Sequence, residues 1–125
     1  MTEELEPWSW RVTREQIQAY AEASGDRNPI HLDEEFARSV GLPGVIAHGM
    51  LGMAQLANYV IRRAGDHRRL RRLRCRFAGM VLPGDEITFG GRVTGREDGI
   101  EKLELHAVNQ KGETVISKAY AELRV

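Results

Sequence analysis

Residues 49 to 64, GMLGMAQLANYVIRRA, carry apolar side chains on more than one face until Arg62 and Arg63. Helical spacing here predicts a long helix closed by Gly65, and it lacks the polar stripe of a surface helix. Such a helix must be enclosed on most sides. Gln55 and Asn58 interrupt the run, which is also too short to span a bilayer.

The cover follows in the sequence. Leu73, Cys75 and Phe77 alternate with Arg72, Arg74 and Arg76; Ile87, Phe89, Gly91 and Val93 alternate with polar neighbours. Leu103, Leu105 and Ala107 repeat the pattern, as do Val115, Ser117, Ala119, Ala121 and Leu123. Turns are expected at Pro83-Gly84-Asp85, Glu97-Asp98-Gly99 and Lys111-Gly112-Glu113. Residues 8 to 12 alternate too and predict a short first strand. The expectation is an α+β domain over residues 1–125, in which a curved antiparallel sheet wraps the central helix.

Between these parts lies the stretch with chemistry. Thr13 and Gln16 form a capping box ahead of a helix that Gly25 closes. Asp26 then opens an irregular loop restrained by Pro29, with His31 five residues on. Asp33 caps a short helix bearing Phe36 and Val40 on one face, and Gly41 ends it. A connector through Pro43 and Gly44 reaches His48 and Gly49. Histidine suits a general base at neutral pH, and a carboxylate beside an apolar core suits an acid. Gly49 begins the long helix, where free N–H groups favour developing negative charge. Acid, base and oxyanion site together fit addition of water to a carbonyl-activated double bond, or its removal. The same residues also fit a cap, a turn and a structural histidine.

Other classes find less support. The 18 basic and 18 acidic residues cancel, and the arginine-rich segment 62–76 lacks interleaved aromatics, so no nucleic-acid partner is expected. Those arginines fit either a solvated strand face or contacts to phosphates or an acidic carrier. A zinc site from Asp26, His31, Asp33 and His48 lacks the close paired-histidine spacing of a helix. Cys75 reads as a small hydrophobe. The first ten residues, acidic and carrying two tryptophans, are unlike a signal peptide, so a cytoplasmic location with no membrane association is expected.

The stretch YAEASGDRNPIHLDEEFARSVGLPGVIAHGML, residues 20 to 51, resembles the signature of the MaoC-like (R)-specific enoyl thioester hydratases and dehydratases. RFAGMVLPGDEITFGGRV, 76 to 93, and AVNQKGETVISKAYAEL, 107 to 123, are similar to that family's strand segments. The resemblance implies a hot-dog fold and the catalytic set Asp26, His31 and Gly49, with Asn28 organising the loop. It implies a homodimer, or a heterodimer with a related subunit, acting on an acyl-CoA or acyl-carrier-protein thioester. No metal or redox cofactor is implied. Asn28, His48, Met50 and Met53 are expected to contact substrate. The connection 62–73 is short and basic where relatives are often longer and richer in glycine and proline. A hot-dog thioesterase and a non-catalytic acyl-binding subunit are the competing readings.

Overall fold

A computed structural model of the chain describes residues 3–125. Its elements are β1 (Glu3–Glu4), β2 (Trp8–Arg11), α1 (Arg14–Ser24), α2 (Pro29–Leu32), α3 (Glu34–Ser39) and α4 (Gly49–Ala64). A 3-10 turn (His67–Arg69) leads to β3 (Leu70–Phe77), β4 (Glu86–Glu97), β5 (Ile100–Val108) and β6 (Thr114–Arg124). All pairings are antiparallel, in the order β1-β4-β5-β6-β3, with β2 also on β4. Strand alternation and turn chemistry fix this register. The β4–β5 hairpin closes through Asp98 and Gly99, both at positive φ, the backbone that a tight hairpin turn requires.

Apolar residues of every long strand meet α4 on one side of the sheet. Ile87, Phe89, Val93, Leu103, Leu105 and Ala121 are buried against Leu56 and Val60 of the helix. Trp8, Trp10 and Tyr59 stack round Phe89, with ring centroids 5.7, 6.5 and 5.8 Å from it. The helix is less enclosed than its composition suggests. Leu51, Gly52, Leu56, Tyr59 and Val60 are buried, whereas Met50, Ala54 and Asn58 are exposed. One small sheet curls round only part of a helix's circumference.

The carboxyl end of α4 is tied down by charge. Arg63 Nε donates to Glu101 Oε1 at 3.0 Å, Arg96 Nε donates to Glu101 Oε2 at 3.0 Å, and Glu3 accepts from both arginines. The Arg63 hydrogen bond, chiefly, holds the buried Glu101 carboxyl below the usual glutamate range. A carboxyl depressed in the folded state stabilises it above the unfolded value of about 4.3, and the contribution disappears as pH falls through the lower folded value. The melting temperature should therefore fall on acidification through and below pH ~4. Glu101→Gln should lower the melting temperature at neutral pH and flatten that acid limb, as a pH series of thermal melts would show. An unchanged limb would exclude Glu101 as its source.

The short elements differ most from expectation. Pro29–Leu32 forms a single helical turn inside the Asp-His loop. In α3 the buried residue is Ala37, while Phe36 and Val40 stay exposed because so short a helix meets the body through one small contact. Glu34 of α3 holds the connector to α4. Its Oε1 accepts from Val45 N–H at 3.2 Å and from Arg14 at 2.7 Å. A Cβ on Gly44 would lie 2.7 Å from the same carboxylate, so glycine leaves room for this clasp.

Candidate active site

The site grows from the end of α1. The capping box is present, with Thr13 Oγ1 accepting from Gln16 N–H at 3.1 Å, and Gly25 ends the helix in the left-handed conformation. The next residues fold through their own side chains. Asp26 Oδ1 accepts from Asn28 N–H at 3.3 Å, and Asn28 Oδ1 accepts from Ile30 N–H at 3.2 Å. Asn28 thereby caps the turn Pro29–Leu32, whose first residue is the proline that suits that position. His31 projects from this turn.

Two backbone carbonyls fix the two histidines. His31 Nδ1 lies 2.7 Å from Ile46 O. A carbonyl only accepts, so Nδ1 carries the hydrogen and Nε2 keeps its lone pair. His48 Nε2 lies 2.8 Å from Asp26 O and donates by the same reasoning. Its Nδ1, buried, has no hydrogen-bond partner among the described residues. The rings stack with centroids 3.7 Å apart at 22°, and Tyr20 closes the other side of His48 edge-on at 4.8 Å. Nitrogen or oxygen atoms of Asp26, His31 and His48 all lie within 4.8 Å of one another.

That cluster fits proton transfer better than metal ligation. Stacked rings send their in-plane lone pairs along near-parallel planes, not toward one point.

Beside the cluster starts α4, whose first residue, Gly49, has an N–H with no intrahelical acceptor. His48, Gly49 and Gly52 form one wall of a cavity of about 270 Å³. Trp10, Phe77, Val81, Phe89 and Ile116 supply apolar walls from four strands and a loop. A Cβ on Gly49 would come within 2.9 Å of the Phe77 ring, so only glycine fits there without moving the aromatic wall.

The structure brings Asp26, His31 and His48 together, Gly49 follows His48 on the cavity wall, and Asn28 shapes the loop between the first two. Met50 and Met53 stand outside the cavity wall; Met50 is 55% exposed. Gly52, one turn on from His48, takes the inward position. Trp10, Phe77 and Phe89 are the wall residues that sequence spacing did not single out. Their apolar alternation marks them as core, and nothing local separates a cavity wall from core. Burial raises the Cys75 thiol, which fits its reading as a small hydrophobe.

An antiparallel sheet curled round one long helix, with the polar loop at the helix's amino end, is the hot-dog architecture. The chain belongs to the family described as MaoC like domain, whose model matches residues 3–115. It is 39% identical over 96 residues to a fatty acid synthase beta subunit of Cochliobolus carbonum, covering 75% of this chain but only 5% of that subunit's length. The (R)-hydratase from A. caviae involved in PHA biosynthesis superposes with a TM-score of 0.85 at 27% identity, covering 100% of this chain and 94% of that one. The ChsH1-ChsH2 complex from Mycobacterium tuberculosis shares the fold, with a TM-score of 0.87 at 22% identity over 98% of this chain and 95% of that one. No described helix is long and apolar enough to cross a membrane.

Proposed function

We propose that the protein is a hydro-lyase, an (R)-specific enoyl thioester hydratase that also works in reverse as a (3R)-hydroxyacyl thioester dehydratase. The observation that carries this is a carboxylate and an imidazole of fixed tautomer clustered with His48, which together with the helix-terminal Gly49 lines an apolar cavity. A water-moving enzyme acting next to a carbonyl needs these parts.

In the dehydration direction the acyl chain occupies the cavity and the thioester oxygen faces Gly49 N–H. His31 Nε2 takes the α-proton, and the electron pair moves toward the oxygen held at the helix terminus, where the dipole stabilises it. The pair then forms the α,β double bond as the β-carbon–oxygen bond breaks. The departing hydroxyl takes up a proton within the Asp26–His31 pair and leaves as water, so both side chains end as they began. Hydration is the same path reversed, with water held between Asp26 and His31. The thioester acidifies the α-position by itself, and the acyl carrier, coenzyme A or an acyl carrier protein, is part of the substrate.

His48 acts through its neighbours. It holds the Asp26 carbonyl and supports the face of His31, so it is a positioning residue. His48→Ala should lower kcat by roughly 10-fold while the protein keeps its circular dichroism spectrum, by analogy with the loss of an orienting hydrogen bond. His48→Gln, which retains an N–H donor, should recover part of the loss; equal loss in both would show that the ring stack alone matters.

The direct test incubates the protein with crotonyl-CoA and follows the conjugated enoyl absorbance together with product chirality. Formation of (3R)-hydroxybutyryl-CoA supports the reading. Release of free acid instead would identify a thioesterase, and failure on long, branched and carrier-protein-linked enoyl thioesters as well would overturn it.

A further inference from the structure

The cavity beside Gly49 has an open end and a blind one. Of its lining residues, Phe77, Gly79 and Met80 are exposed, whereas Trp10, Ile87, Phe89 and Ile116 are buried. The first group marks the mouth and the second the floor. Behind the floor stand more rings. Trp8 and Tyr59 lie 5.7 and 5.8 Å from Phe89, centroid to centroid, and Trp10 lies 6.5 Å from it. Two of these rings are pinned by their polar tips: the Tyr59 hydroxyl donates to Glu6 O at 2.7 Å, and Trp10 Nε1 donates to Gln16 Oε1 at 2.9 Å. Trp8 and Tyr59, with Leu5, Val60 and Arg62, wall a second cavity of about 300 Å³. The Phe89 ring is thus a partition, held in place by the aromatic side chains around it.

The space in front of this partition is small. Its volume of about 270 Å³ lies just under the ordinary range for small-molecule pockets, about 300–1,000 Å³. At ~30 Å³ for each water-sized group it holds roughly nine such groups. A thioester sulfur, a carbonyl oxygen and a β-oxygen fill three of them, which leaves room for about six carbons. Gly52 bears on the same limit. Glycine weakens the interior of a helix, yet the nearest atom that a Cβ on Gly52 would meet is Ile116 Cδ1, at an ordinary 3.8 Å. Alanine would suit the fold there; glycine leaves the volume to the cavity.

We infer that the protein selects thioesters of short acyl chains, about six carbons or fewer, and that Phe89 is the residue that sets the limit. The inference rests on the acyl group entering this cavity, as in the reaction proposed above. A longer chain must either displace a ring that its neighbours hold or leave its tail in water. In both cases the added methylenes lose the gain that burial brings.

Binding tests this separately from turnover. Saturated S-acyl phosphopantetheines carry the arm common to coenzyme A and acyl carrier protein, and their affinities can be measured by titration calorimetry. From butyryl to hexanoyl, affinity should rise by up to about four-fold per methylene, then level off or fall at octanoyl and decanoyl. A continued rise to decanoyl, or no dependence on chain length, overturns the inference. Phe89→Leu, with a smaller apolar side chain, should bind the decanoyl thioester about 10-fold or more tighter than wild type. An unchanged decanoyl affinity would remove Phe89 as the limit. Should that variant not fold, Gly52→Ala approaches the limit from the other side. Its added methyl should weaken hexanoyl relative to butyryl by about four-fold or more, and an unchanged ratio overturns the inference equally. The expected binding profile in a protein inactive on every enoyl thioester would overturn the reaction and leave the chain-length limit standing.

Discussion

Replacing His31 with alanine should lower turnover of an enoyl thioester by about 10²–10⁴, the range for loss of a positioned proton-transfer group. The effect should fall on kcat more than on KM, because the cavity proposed to hold the acyl chain is built by other residues. Asp26→Asn should cost a similar factor. It keeps the side-chain oxygen that accepts from Asn28 N–H, so the loop geometry survives while the carboxylate is lost. The two losses should be far from additive if the residues share one water and one proton. Steady-state rates for both single variants and the double variant check this; a double variant whose losses multiply would mean independent roles.

The second large effect is on stability. Phe89 is fully buried, at 0% exposure, in the middle of β4, with Trp8, Trp10 and Tyr59 stacked about it. Phe89→Ala removes the ring on which strand β2 and the middle of α4 both rest. The expected destabilisation is about 3–5 kcal/mol, from lost transfer energy and an unfilled cavity. That is a large share of the stability of a domain this size. Urea titration of both proteins checks it, and a cost below ~1 kcal/mol would mean that the aromatic cluster repacks. Phe89 also lines the proposed acyl cavity, so a folded variant should accept bulkier chains.

Features set by near neighbours in the chain were legible. The Thr13–Gln16 box, the turn at Asp98-Gly99 and the alternation of Ile87, Phe89, Gly91 and Val93 each depend on residues within a few positions, and each is found as expected. The pairing of His31 with His48 was not legible, because 17 positions and a folded connector separate them. The turn Pro29–Leu32 is too short to show periodicity. β1 is two residues long, held by its register with Val93 and Arg92, which no local pattern announces. Met50 and Met53 share the apolar run of α4 with Gly52, and only the curl of the sheet decides which of them faces the cavity. Distance in sequence, more than weakness of signal, set the limit.

Ile46 serves two masters through two different atoms. Its carbonyl fixes the hydrogen on His31, and its side chain lines the cavity. Every residue type has that carbonyl. Position 46 can therefore change size, reshaping the proposed acyl cavity, without disturbing the hydrogen bond that fixes the tautomer of His31.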